Sequence, residues 1–518
     1  MADLLASIAS SSSPPPAPTS VHADKLGLTA SQVSHFLSEA TAYAAGHGML
    51  VQAPEQRYAH LPYCLLPVPF PRQQFELVRL LYLHRLGSLS QVLVDSQGIV
   101  LSPIFALLVD RVAADPDWLH EQLQNVLAED AFTRRLVELS KAVQKEGVVQ
   151  TAALGIHRSD YMLHDDPSNA TSPQILQVEL NTIAASFACM SSLASDLHRF
   201  LLERYEAQIP SAYYGNVGDL ATHLPRNPAL HALPAALARA HSHYGRPSAV
   251  IVFVVQPNES NSVDQRWLEY TLWTAHKVKV FRRSLHQLAT AEVRGATREL
   301  WVDGVEVAVA YFRAGYTPTD YPSETEWIGR TLVERSLAIK CPNIAYHLAG
   351  TKKVQQVLAT PSELRRFLTE DQSVLVEKSF TGLFGLEQAS PDLPRIKALV
   401  AANPTGYVLK PQREGGGNNL YGEEVVEALA TLTPAELESF ILMERILPQE
   451  QPAVLVRNGA PVSGDTISEL GMFSVALFDN GKAILNEHAG HLLRTKLSTT
   501  NEGGVAAGFA VLSSPFLV

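Results

Sequence analysis

The sequence predicts a mixed α/β protein made of more than one packed lobe, and three observations carry that prediction. The chain has 518 residues, 46% hydrophobic and 18% charged, which is more than one core usually organises and far from a disordered composition. Helical periodicity dominates its first third, and short strand patterns alternate with helix signals after that. Two hairpin-type turn signals, Asp303-Gly304 and Asn480-Gly481, punctuate the second half.

Residues 1–24 are rich in Ser, Pro and Ala, contain the run Ser10-Ser11-Ser12-Ser13-Pro14-Pro15-Pro16, and hold no Lys or Arg. They read as a disordered tail, without the basic start of a signal peptide or the arginines of a transit peptide. No apolar run approaches the length of a membrane span, so a cytoplasmic protein with no membrane partner is expected. From Thr29 to about Gly147 the apolar residues repeat helically, as in Phe75, Val78, Leu81 and Tyr82, or Leu119, Leu123, Val126 and Leu127. Gln174–Asn181 is the first strand-like segment of unusual polarity. Alternation puts Val178 and Leu180 on one face and Gln177, Glu179 and Asn181 on the other.

Between Ala249 and about Gly350 an α/β unit is expected. It runs through an apolar strand at Ala249–Val255, a helix at Asp264–Lys277, a strand near Val278–Phe281 and the Asp303-Gly304 hairpin. Ser323-x-x-Glu326 then signals a capped helix. Further on come a strand at Tyr407–Lys410, the loop Arg413–Asn419, a helix start at Thr433-Pro434-x-Glu436 and an apolar strand at Ile441–Met443. The Asn480-Gly481 hairpin and a glycine-rich loop, Gly503 to Gly508, follow.

Bulk properties exclude several function classes. A formal net charge of -11 argues against nucleic acid, because phosphate neutralisation needs basic surface, and any anionic ligand must meet a local basic pocket. The three cysteines, Cys64, Cys189 and Cys341, form no CxxC pair and read as reduced, mostly buried thiols.

The most informative stretch is Lys410-Pro411-Gln412-Arg413-Glu414-Gly415-Gly416-Gly417-Asn418-Asn419. Consecutive glycines let backbone N–H groups approach a ligand closely. Lys410 at a strand end can neutralise phosphate, and Glu414 can hold a metal on it. The spacing is neither a P-loop nor a Rossmann fingerprint. Glycines alone would equally suit a flexible linker; the flanking Lys and Glu favour a nucleotide triphosphate site.

Glu179-Leu180-Asn181-Thr182, Ala349-Gly350-Thr351-Lys352-Lys353-Val354-Gln355-Gln356, the run from Lys410 to Gly422, Ser468-Glu469-Leu470-Gly471, Leu493-Arg494-Thr495-Lys496 and Gly503-Gly504-Val505-Ala506-Ala507-Gly508 together resemble eukaryotic glutathione synthetases, in family order, from about Pro62 to the C-terminus. The resemblance implies an ATP-grasp fold with a mobile glycine-rich lid and an inserted substrate-binding domain. It divides the chain into a tail (1–24), the first part of the body (25–248), the insert (249–354) and the second part of the body with the lid (355–518).

The resemblance also implies ATP and Mg²⁺ as cofactors, γ-glutamylcysteine and glycine as substrates, and a homodimer. Glu179, Asn181 and Glu414 match magnesium ligands, which agrees with the preference of Mg²⁺ for carboxylate and amide oxygens. Lys352 and Lys410 match phosphate-contacting lysines, although Lys352-Lys353 alone would suit a solvated helix face. Gly415, Gly416, Gly417, Asn418, Asn419, Tyr421, Met443, Glu444, Arg445, Ile446, Glu469, Lys496 and Glu502 match the rest of the nucleotide site. Strand Ile441–Met443 alone would be core. Arg158 and Arg494 match arginines that bind the dipeptide and the reacting groups, since guanidinium forks pair with a carboxylate and its acyl phosphate. Ser186, Glu259, Asn261, Gln265, Arg313 and Tyr316 match the dipeptide pocket, and Val505 and Ala506 the acceptor loop.

Two positions depart from the family pattern. Ala184 stands where Ser is usual, which removes one hydroxyl contact and leaves Ser186, and Glu502 replaces Asp. Two other readings remain at this level: a ligase of the same scaffold that uses β-alanine or serine, and a nucleotide-binding scaffold without turnover. The intact Glu179, Asn181, Glu414, Lys352, Lys410 and Arg494 speak against the second.

Overall fold

The computed structural model describes residues 26–53, 57–79, 101–165, 173–215, 217–413, 417–501, 503–505 and 508–518. The expected tail, and Glu414, Gly415, Gly416, Glu502 and Ala506, lie outside the described residues.

Of the four sheets among the described residues, two larger ones organise the site and the other two are two-stranded. The larger has thirteen strands, and its centre is a long antiparallel hairpin, Ala460–Asp479 and Lys482–Leu497, laid against Ala152–His164. The hairpin turns at Asn480-Gly481, where both residues take positive φ (48° and 72°), as a type I′ turn requires. Asp303-Gly304 does the same at 50° and 76° between Glu299–Val302 and Val305–Phe312. The capping box expected at Ser323/Glu326 is present, and the helix expected to start at Thr433 does so with a capping box to Glu436.

Strands of the 249–354 segment join the same large sheet. Val250–Val254 pairs in parallel with Val305–Phe312, which pairs with Ile339–Cys341, and Lys340 in turn pairs with Ala153 of Ala152–His164. Helices cover both faces. Leu154, Ile156, Phe473 and Val475 enter one core while Ala153, Tyr161, Leu470 and Met472 enter the other, the two-residue period of strands buried on both sides.

The smaller sheet has four antiparallel strands in the order Leu383–Gly385, Phe440–Glu444, Tyr407–Pro411, Leu420–Tyr421. Tyr407, Leu409, Phe440 and Leu442 face its own helices. Val408 and Met443 face the opposite way and pack with Leu176 and Ile446, flanked by Met162 and Val178. A cleft between the sheets follows from that alternation.

Gln174–Asn181 forms a strand as expected, but its facing differs. Asp160 opposes Glu179 while Tyr161 opposes Gln177, so Val178 is an extra residue in the ladder. This β-bulge reverses the side of everything before it. Glu179 and Asn181 share the cleft face, whereas Gln177 is turned over and donates to the Ser159 hydroxyl. Val178 and Leu180 likewise separate, Val178 to the cleft cluster and Leu180 to the core. All three cysteines are buried free thiols. No helix among the described residues is long and apolar enough to cross a membrane.

Candidate active site

The cleft floor consists of neighbouring strands whose registers bring charges together. Arg158 opposes Asn181, Asp160 opposes Glu179, and Glu469 opposes Arg494. Asp160 is completely buried. The Arg158 fork donates to both its oxygens (Nε to Oδ1, 2.7 Å; Nη2 to Oδ2, 2.8 Å), and Arg494 Nη2 donates to Oδ2 at 3.0 Å. Arg494 Nη2 also donates to Glu469 Oε1. Burial opposes the Arg494 charge, but Glu469, Asp160 and Glu179 more than offset it and hold the guanidinium firmly protonated.

Two buried lysines complete the charge set. Lys352 Nζ lies 3.0 Å from Glu179 Oε2 at the start of helix Lys352–Leu358. Lys410 Nζ donates at 3.0 Å to the carbonyl of Val178, the bulge residue, whose backbone the ladder leaves available. Burial by itself would raise the Glu179 carboxyl. Lys352, Lys410 and Arg494 override it and hold this group well below the usual carboxylate range, so Glu179 is ionised at neutral pH. Glu469 moves the other way: burial raises it, with Arg494 acting against the rise.

Glu179 and Asn181 offer oxygen donors suited to a hard divalent cation. Asn181 Nδ2 donates to Asp160 Oδ2 (3.0 Å) and Glu179 Oε1 (3.3 Å), which leaves the amide oxygen as the end for a cation. Among the described residues, no group of three or more His, Cys, Asp or Glu side chains is arranged to hold a metal. A cation here would need oxygens from a ligand or from a residue outside the described set, such as Glu414.

The nucleotide-type residues lie along the cleft face of the smaller sheet. Tyr421, Met443 and Ile446 share the apolar cluster with Leu176 and Val408, and Arg445 stacks over Tyr421 at 5.7 Å. Asn419 reaches the Tyr421 hydroxyl at 3.4 Å, and Gly417 takes a φ of 89° that favours glycine. Both Arg445 and Lys496 bond to Asn501, through its side chain and its carbonyl respectively. Glu444 stands apart, accepting from the Gly382 N–H at 3.2 Å. Val505 is buried in the larger core.

A second polar group adjoins Arg158. Arg313 is buried and donates to the Ala185 carbonyl and to Ser186 Oγ, both at 2.6 Å. Ser186 in turn donates to the carbonyl of Ala184, and the Ser186 carbonyl accepts from Arg158 Nη1 at 3.4 Å. Glu259 accepts from the Asn261 N–H and from Gln265 Nε2. Among the described residues, neither of the two buried amide atoms of Asn261 has a partner, a cost of about 1–3 kcal/mol per group that a polar ligand would remove. The Tyr316 hydroxyl accepts from Gln256. One cavity is lined by both Tyr316 and Lys352, with Thr182, His347, Gln412 and Arg413.

Sequence reasoning missed four residues that build this site. Asp160 joins the two arginines. Asp264 caps helix Ala188–Tyr205, accepting from the N–H groups of Phe187, Cys189 and Met190 at 2.8–3.1 Å. Gln355 grips both backbone groups of Leu180. Gly471 leaves room for Arg158 and Asp160. Gln355 and Gly471 stand inside the family motifs and Asp160 follows Arg158 by two residues in an apolar stretch, whereas Asp264 carried no readable signal.

The fold is of the ATP-grasp α/β kind, and its two main sheets border a cleft whose lysines, arginines and ionised glutamate suit an anionic, phosphate-bearing ligand. The family model described as "Eukaryotic glutathione synthase, ATP binding domain" matches residues 93–517. The chain is 42% identical to the chloroplastic glutathione synthetase of Solanum lycopersicum over 463 residues, 89% of this chain and 78% of that relative. It is 42% identical to the glutathione synthetase of Dictyostelium discoideum (80% of this chain, 87% of the relative) and 41% identical to that of Homo sapiens (80% and 85%). Its fold matches a glutathione synthetase like-effector from Globodera pallida in the apo form, with a TM-score of 0.71, 23% identity, and coverage of 95% of this chain and 98% of that one. The chain belongs to the eukaryotic glutathione synthase family.

Proposed function

We propose that this chain joins γ-glutamylcysteine to glycine through an acyl phosphate, consuming ATP in the presence of Mg²⁺ and releasing ADP and phosphate. The observation that carries this reading is the convergence of Arg158, Arg494, Lys352, Lys410, Glu179 and Asn181 on one cleft. A carboxylate oxygen is a poor leaving group, so the cysteinyl carboxylate must first accept the γ-phosphoryl of ATP. Lys352 and Lys410 neutralise the transferring phosphoryl, which needs positioning and positive charge more than covalent chemistry. Mg²⁺, when bound, would draw charge from the phosphate oxygens, held by Glu179, Asn181 and Glu414.

Arg158 and Arg494 then hold the acyl phosphate and the oxyanion formed as the glycine amine attacks. Ser186, Glu259, Asn261, Gln265, Arg313 and Tyr316 orient the dipeptide, while Tyr421, Met443 and Ile446 seat the base of the nucleotide. The 249–354 segment supplies most of the dipeptide contacts, and the working unit is a cytoplasmic homodimer. An ADP-release assay with γ-glutamylcysteine and a panel of amines tests the reading. Release that requires Mg²⁺, the dipeptide and glycine supports it; release with a different amine only, or none, overturns it.

A further inference from the structure

The strands that form the cleft floor bury one carboxylate for which the reaction above has no use. Asp160 is fully buried and meets three cleft side chains at once. These are Arg158 through a two-bond fork (2.7 and 2.8 Å), Arg494 Nη2 (3.0 Å) and Asn181 Nδ2 (3.0 Å). A two-bond fork fixes the plane of a guanidinium as well as its position. An amide whose nitrogen is engaged has its oxygen end directed elsewhere. One carboxylate therefore sets the orientation of both arginines and of the Asn181 amide.

The opposite strand is shaped around this arrangement. Gly471 faces Asp160 in the register, and a Cβ there would lie 2.8 Å from both Arg158 Cδ and Asp160 Oδ1. Any side chain at 471 would displace the fork.

We propose that Asp160 is a positioning residue that aims Arg158 and Arg494 at the dipeptide carboxylate and presents the Asn181 oxygen for a divalent cation. The assignment rests on the function proposed above. Asparagine at 160 would keep the size but offer only one acceptor oxygen to four N–H donors from three side chains. Its NH₂ would face a guanidinium or an amide N–H, so the fork opens and Asn181 is free to turn.

The test uses the full-length chain as wild type, Asp160→Asn and Gly471→Ala, each checked by thermal unfolding. Steady-state kinetics are combined with calorimetric binding of γ-glutamylcysteine and of Mn²⁺ in the presence of a non-hydrolysable ATP analogue. For Asp160→Asn we expect kcat lower by about 100-fold, as for misplaced reacting groups. Dipeptide binding should weaken by at least about tenfold, and Mn²⁺ binding by about tenfold, the lower end for a lost outer-shell partner. The KM for ATP should stay within about threefold. Gly471→Ala, which changes no charge, should weaken dipeptide binding in the same direction. A merely structural role would lower the active fraction and leave the binding constants of the folded protein unchanged, and that result overturns the proposal. If Asp160→Asn does not accumulate folded, Gly471→Ala decides by the same criteria. A wild-type chain that releases no ADP overturns the functional reading. Normal wild-type turnover beside an unimpaired Asp160→Asn overturns only the positioning role.

Discussion

Replacing Gln355 with leucine is expected to destabilise the protein and impair catalysis, although this side chain faces no substrate. Among the described residues, strand Gln174–Asn181 pairs with another strand on one side only, Ala152–His164, so its other edge needs cover. Gln355 supplies it. Its Oε1 accepts from the Leu180 N–H at 2.9 Å, and its Nε2 donates to the Leu180 carbonyl at 3.3 Å and the Gly350 carbonyl at 2.7 Å. Leu180 sits between Glu179 and Asn181. Three hydrogen bonds at about 1 kcal/mol each give an expected loss of about 2–4 kcal/mol, the upper end applying if the Leu180 groups stay dry. Urea unfolding followed by circular dichroism measures that loss, and ADP release in native buffer measures kcat, expected to drop at least about tenfold through misplacement of the adjacent residues. An unchanged unfolding midpoint together with kcat within about twofold would refute the edge-clasp reasoning.

Lys352→Met should reduce kcat by about two to three orders of magnitude with a smaller effect on ATP binding, because the charge acts on the phosphoryl in transit; a pure KM effect would contradict that role. Glycine should be preferred over β-alanine by roughly ten- to a few hundred-fold in kcat/KM, the worth of one methylene in a close-fitting pocket. Competing the two amines at equal concentration and identifying the tripeptide settles the choice, with equal incorporation counting against it. Acid should unfold the protein early. Burial pushes the His198 imidazole down to about 4 against the bond to the Cys64 carbonyl, so it stays neutral when folded. The unfolded chain binds the extra proton between about pH 6.5 and 4, and stability present above that window is lost as pH falls through it, by about 2 kcal/mol at pH 5 from this group. Comparing unfolding midpoints of wild type and His198→Gln at pH 7 and pH 5 checks this, the variant losing less; equal losses would show that His198 is already charged in the fold.

Much of the fold was legible because its signals are local. The Asp303-Gly304 and Asn480-Gly481 turns, the Ser323/Glu326 box and the helix start at Thr433 depend on a few adjacent residues, and each forms as read. Strand Gln174–Asn181 was visible through its polar alternation, and Arg158, Glu179, Asn181, Lys352, Lys410, Glu469 and Arg494 lie close to one another. What stayed hidden depends on partners distant in the chain. Ala152–His164 is largely buried on both faces and shows no alternation to read. The role of Asp160 comes from Arg494, 334 residues away, and that of Asp264 from a helix start 75 residues earlier. The segment read as a separate insert, 249–354, shares its sheet with the body through the pairing of Lys340 with Ala153, a link no linear boundary reveals.

The bulge at Val178 makes the cleft depend on an odd-or-even rule. Because strand side chains alternate, the one extra residue acts like a change of sign between sequence parity and facing for the segment before it. Removing Val178 would be a deletion of a single hydrophobic residue by composition. By geometry it would turn the bulge into a regular ladder, with Gln177 still opposite Tyr161 and Leu176 still opposite Met162, and it would withdraw the carbonyl that steadies Lys410. A change of residue type at 178 keeps that carbonyl in place, whereas removing the residue takes it away.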